Sequence, residues 1–171
     1  MYCLALPEMI TLDLFNNDYA NYFDYLYYNI FRRDLFNMKV IYCGKKVSLK
    51  SMPRSDDGKE NSYYHLTCKD YNGVRERQPD LKRCERLNWI KPALETNHQS
   101  ECEKNCFLVY KTWYKNRVRT NLLNPIDRYQ IVLEERDSYW LMITAFYIDY
   151  DNRIKKQLKK YRNFIETREP V

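Results

Sequence analysis

The chain is predicted to adopt an α+β fold: a small antiparallel sheet with helices packed on one face, an N-terminal helix and a C-terminal helix. Three patterns predict it. Tyr19, Tyr22, Phe23, Leu26 and Ile30 recur at helical spacing. Residues 128–148 hold two β-rich runs around the polar turn Glu135 to Ser138, which is the pattern of a hairpin. Within 152–167, Ile154, Leu158, Tyr161 and Ile165 form an apolar stripe, and Lys155, Lys156, Lys159, Lys160 and Arg162 cover the outside.

The elements follow in order. The first helix covers 17–37, with Asn17 or Asn16 as its N-cap. Residues 39–50 read as a strand, a turn at Gly44 and a second strand. Pro53, Ser55, Asp56, Asp57 and Gly58 mark 51–62 as a polar loop. Tyr63 to Lys69 reads as a strand, and its alternation places His65, Thr67 and Lys69 on one face. Asp80 caps a helix from 81 to about 91, ended by Pro92. Its apolar arc is Leu81, Cys84, Leu87 and Ile90; Arg83 falls inside the arc and Arg86 flanks it. An arginine in such an arc either pairs, here with Glu85, Asp80 or a distant carboxylate, or opens onto a polar cleft. Residues 95–105 are a polar loop, 107–113 a strand, and 117–123 a strand or connector. Neither repeats nor low-complexity linkers divide the chain. It reads as one domain, 1–171, with an N-terminal helical portion (1–38) and an α+β core (39–171).

Composition narrows the function. A hydrophobic share of 44% supports a core, and 17 tyrosines supply rings that pack inside or stack on bases. The net charge of +6 suits a polyanionic partner. With three glycines, no dinucleotide-binding fingerprint or P-loop is present. The first residues lack a basic leader and Pro7 interrupts them, so no export signal is expected; the six cysteines read as reduced and the protein as cytoplasmic. No apolar run reaches about 18 residues, so no membrane span is expected. His98, Cys102 and Cys106 are spaced to share a helix face, but a fourth ligand is not evident, and neither metal nor cofactor is expected.

The chemistry centres on His65 and the arginines that follow it: Arg75, Arg77, Arg83 and Arg86. Histidine takes and gives protons near neutrality, and arginine holds phosphate through a planar fork. A metal-free ribonuclease needs both.

Asp57-Gly58-Lys59-Glu60, His65-Leu66-Thr67, the stretch Arg77 to Ile90, and Leu141-Met142-Ile143-Thr144-Ala145-Phe146-Tyr147 together resemble the phage and mobile-element branch of the barnase–EndoU–colicin–RelE-like nucleases. The resemblance spans roughly 20–167. It implies a metal-independent endoribonuclease, a toxin or mobile-element effector, with RNA on the sheet face that the helices leave open. His65 matches the family's histidine motif, Arg83 and Arg86 its arginine helix, and Thr144 the threonine of its last hairpin strand. Phe146 stands where tyrosine is expected, and the second histidine of the EndoU pattern is missing unless His98 serves. On this reading His65 is the general base, Arg83 and Arg86 stabilise the phosphorane, and Thr144 bonds a non-bridging oxygen or orients His65. Lys69, Arg75, Arg77 and Tyr129 contact RNA, and Lys69, Tyr129 or water is the acid. RNA is the expected partner, with an antitoxin or immunity-type protein as a control element. The alternative is a nucleic-acid-binding or protein-interaction module without catalysis.

Overall fold

The computed structural model describes residues 6–71, 74–96 and 107–171, without the side chains of 70, 71 and 74–76. The fold is α+β. After a 3-10 turn, helix α1 (Tyr19–Tyr25) runs into a π-helical stretch, Leu26–Leu35. Asp18 caps α1, accepting from the Asn21 backbone N–H at 3.1 Å, so the start lies one residue beyond the expected Asn16 or Asn17. The wide turn suits the aromatic spacing. Tyr27 stacks on Phe31 (5.9 Å) and Phe31 on Phe36 (5.4 Å), while Tyr63 meets both Tyr27 and Phe31 edge-on.

Strands β1 (Val40–Tyr42) and β2 (Lys45–Ser48) form a tight hairpin. Cys43 and Gly44 both take positive φ, 44° and 75°, which matches the twist of the flanking strands and favours glycine at the second position. Helix α2 (Asn61–Thr67) and the hairpin β3 (Cys68–Tyr71) and β4 (Val74–Pro79) follow. Then come α3 (Leu81–Cys84), a 3-10 turn (Leu87–Trp89) and α4 (Ile90–Glu95). Strands β5 (Leu108–Tyr114), β6 (Arg117–Asn124), β7 (Tyr129–Glu135) and β8 (Tyr139–Tyr147) precede helix α5 (Asp151–Thr167).

The main sheet has the order β1-β2-β8-β7-β6-β5. Its pairs are antiparallel except β2 with β8, which run parallel, so the expected all-antiparallel sheet is mixed. The expectation of helices on one face also needs correction. Leu122 joins the large core under α1, the π-helical stretch and α4, whereas Leu123 packs with Tyr110, Phe146 and the α5 residues Ile154, Leu158, Tyr161 and Phe164. Neighbouring strand residues point to opposite faces, so α5 covers part of the second face. The chain's last residue adds to the free edge of β5: Val171 donates to the Lys111 carbonyl and accepts from the Trp113 N–H.

The expected His65 strand is a helix, and β3 begins only at Cys68. The aromatic and β-branched residues suggest a strand, but Tyr63, Leu66 and Thr67 are the buried residues, spaced i, i+3, i+4. The Thr67 hydroxyl donates back to the Tyr63 carbonyl at 2.8 Å and so completes the helical turn. The alternating face of His65, Thr67 and Lys69 therefore does not form: Thr67 is buried and His65 exposed. The arginine helix keeps its Asp80 cap but breaks after Cys84, and Pro92 lies inside α4 rather than ending a helix. The break lets the Trp89 indole N–H reach the Pro7 carbonyl at 2.7 Å.

Candidate active site

β2 pairs with β8 only from Tyr139 to Leu141. Beyond that point α2 and α3, rather than another strand, lie beside β8. The junction leaves a cleft of about 230 Å³ between the end of β2, α2 and the sheet. Lys50, Ser62, His65, Arg119, Met142 and Ile143 line it. A bulge shapes its floor. Val132 pairs with Thr144 and Leu133 with Met142, so Ile143 is the extra residue and is re-aimed into the cleft.

His65 occupies the last turn of α2 with an exposed side chain. The helix is pinned beneath it, because Arg83 Nη1 donates to the His65 carbonyl at 3.1 Å. Arg83 also pairs with Asp80 (3.6 Å), which caps α3 and pairs with Lys69 (3.4 Å). Ser62, one turn before His65, has a buried hydroxyl without a hydrogen-bond partner. Lys50 is exposed at the rim, and Arg119 reaches over from β6 with its guanidinium 3.5 Å from the centre of the Tyr114 ring. The stack holds the fork in one plane. Two cations, an imidazole and a hydroxyl thus share one opening, which can hold an anion and move a proton.

The residues expected at the site divide sharply. His65 lies in the cleft, and Arg77 sits beside it, its guanidinium donating to Asn61 at the cleft wall. Arg83 contacts the backbone of α2 and Asp80 and does not line the cleft. Arg86 leaves the site altogether: its guanidinium lies 4.5 Å from the Tyr147 ring centre and 5.1 Å from that of Trp89, and donates to the Lys82 carbonyl at 2.9 Å. Tyr129 is 1% exposed, with its hydroxyl on the Arg86 carbonyl and its phenol pKa pushed up by burial. It belongs to the core and can neither meet RNA nor act as the acid. Thr144 is half-buried one residue past the cleft-lining Ile143. Lys69 is half-buried against Asp80. The Arg75 side chain, His98, Cys102 and Cys106 lie outside the described residues.

Sequence reading missed Lys50 and Arg119. Lys50 gives no local signal. Arg119 does: Arg117, Arg119 and Asn121 fall at every second position of a strand candidate, which puts them on one polar strand face.

Among the described residues no group of three or more histidine, cysteine, aspartate or glutamate side chains is placed to hold a metal ion. None of their helices is long and apolar enough to cross a membrane. No protein-family model, curated protein or solved structure matches the chain.

Proposed function

We propose that the chain is a metal-independent endoribonuclease acting at the α2–β8 cleft. The observation that carries this reading is the exposed imidazole of His65 sharing one opening with Lys50 and Arg119. His65 takes the proton of the ribose 2′-hydroxyl, and the 2′-oxygen attacks the adjacent phosphorus. A positioned base of this kind contributes about 10²–10⁴-fold. Arg119 and Lys50, rather than Arg83 and Arg86, stabilise the charge that builds on the phosphorane oxygens. Fixed donors in such a role are worth about 3–4 kcal/mol each. The P–O5′ bond then breaks, and Lys50 or water protonates the departing oxygen. The products are a 2′,3′-cyclic phosphate and a 5′-hydroxyl. A toxin or mobile-element effector of this type works in the cytoplasm, where an acidic antitoxin or immunity-type protein would associate fast with the basic cleft.

The test is incubation with total RNA in EDTA. Wild type should cut and leave cyclic phosphate ends, and His65→Ala should lose cutting while keeping most RNA affinity. A folded wild type that never cuts overturns the reading.

A second reading, RNA binding without catalysis, draws on α5. Arg153, Lys155, Lys156, Lys159 and Arg162 are all exposed along this helix. Neutralising them should then weaken binding steadily and flatten its salt dependence, with His65→Ala inert.

A further inference from the structure

Next to the cleft, one buried carboxylate is shared by three arginines. Glu134 on β7 is 6% exposed. Arg117 Nη1 lies 3.0 Å and Arg136 Nη2 2.6 Å from its Oε1, and Arg119 Nε lies 3.9 Å from Oε2. The pairing register accounts for this convergence. Arg119 faces Glu134 directly across β6 and β7, Arg117 lies two residues along the same strand face, and Arg136 follows two residues after Glu134.

The charges do not balance. Lys50, Lys115, Arg117, Arg119 and Arg136 line a basin of about 480 Å³ in which Glu134 is the only carboxylate among the lining residues. Donors are also left over. Arg119 Nε and Arg136 Nε are both buried without a hydrogen-bond partner, a state that costs free energy unless an acceptor arrives. A tetrahedral, multiply charged oxyanion fits guanidinium forks of this kind. The basin and the cleft share Lys50, Arg119 and Ile143, so a strand lying in one continues into the other.

We infer that this basin is a second phosphate subsite for the same RNA strand. The substrate is then an oligonucleotide engaging at least two phosphates. The inference rests on the reading of the cleft as an RNA site, and its test is independent of cleavage.

Binding is measured by fluorescence anisotropy with all-2′-deoxy oligonucleotides, which lack the attacking hydroxyl. A dinucleotide with one phosphate is compared with a hexamer. Arg117→Gln/Arg136→Gln should weaken hexamer binding by about tenfold or more, as expected for loss of charge-assisted hydrogen bonds. Its salt slope should fall by about 0.7 for one lost phosphate contact. Dinucleotide affinity should change less than about twofold, which also shows that the variant is folded. Glu134→Gln removes the internal competitor and should tighten hexamer binding, a gain that misfolding cannot mimic. Hexamer affinity unchanged in the double variant overturns the subsite even if RNA is cut normally. The expected length dependence in a protein that never cuts RNA supports the subsite and removes the catalytic reading alone. Inorganic phosphate raising the melting temperature through these arginines, without any length dependence, marks a free-phosphate site and overturns the strand assignment.

Discussion

Replacing Glu60 by alanine should cost about 3 kcal/mol of stability. Glu60 immediately precedes α2, so it anchors the helix that carries His65. Its side chain is 1% exposed and accepts from the Tyr27 hydroxyl at 2.7 Å and from Arg32 Nη1 at 2.5 Å. Alanine leaves the buried Tyr27 hydroxyl without its acceptor, which costs about 1–3 kcal/mol. Breaking a buried ion pair costs about 3–5 kcal/mol. These costs overlap rather than add, and Arg32 is 39% exposed and can turn to water, which places the total near the lower end of the ion-pair range, about 3 kcal/mol. For a chain of this size each kcal/mol moves the midpoint by about 2–4 °C, so Tm should drop by about 6–12 °C.

The pH dependence isolates the charge. Burial alone raises the Glu60 carboxyl pKa, but the hydrogen bonds from Tyr27 and the backbone, with Arg32 and Arg54 nearby, hold it below the ordinary glutamate value. A depressed folded-state pKa gives stability that is full above the unfolded pKa and lost as pH falls through the folded one. The wild-type advantage over Glu60→Gln should therefore be largest near neutrality and fade in acid. Urea unfolding followed by intrinsic fluorescence, from neutral pH down through the carboxylate range, measures both effects. An alanine variant within about 1 kcal/mol of wild type, or an advantage over glutamine that persists in acid, would refute the reasoning.

Tyr110→Phe removes the hydroxyl that donates to Gln157 on α5 at 2.7 Å; it should cost about 1 kcal/mol and speed hydrogen exchange in α5 before the rest of the chain. Native alkylation mapped by mass spectrometry should label exposed Cys43 and spare Cys68 and Cys84, whose thiols are buried and have pKa values raised by burial. Arg86→Lys forfeits the contacts with Trp89 and Tyr147 and should cost about 1–2 kcal/mol in a denaturant titration, with cleavage per folded molecule unchanged. Arg119→Ala should instead leave binding of a short oligonucleotide measurable while lowering the cleavage rate about 10²–10³-fold in single-turnover assays.

Strand pairs and helices that rest on local periodicity were legible in the amino-acid order. The hairpin at 128–148 and the helix at 152–167 match β7, β8 and α5 closely because each is a long run rich in β-branched and aromatic residues or in apolar residues at helical spacing. The Asp80 cap was legible for the same local reason. The segment from Tyr63 to Thr67 was not. Its residues satisfy a period of two and a period near 3.6 over so short a span, and packing against Tyr27, Phe31 and the sheet chose the helix.

By itself, then, the sequence determined the α+β class, the basic charge, most element positions and the presence of His65 among cations. Tertiary structure alone decided that α5 covers part of the second face, that β2 meets β8 in parallel for only three residue pairs, and that Lys50 and Arg119 line one cleft with His65. Local periodicity states which side of an element is apolar. It does not state what that side will meet. Lys50 and Arg119 are brought to the cleft that His65 lines by strand register and by the short reach of β2, and both arise from pairing between residues far apart in the chain.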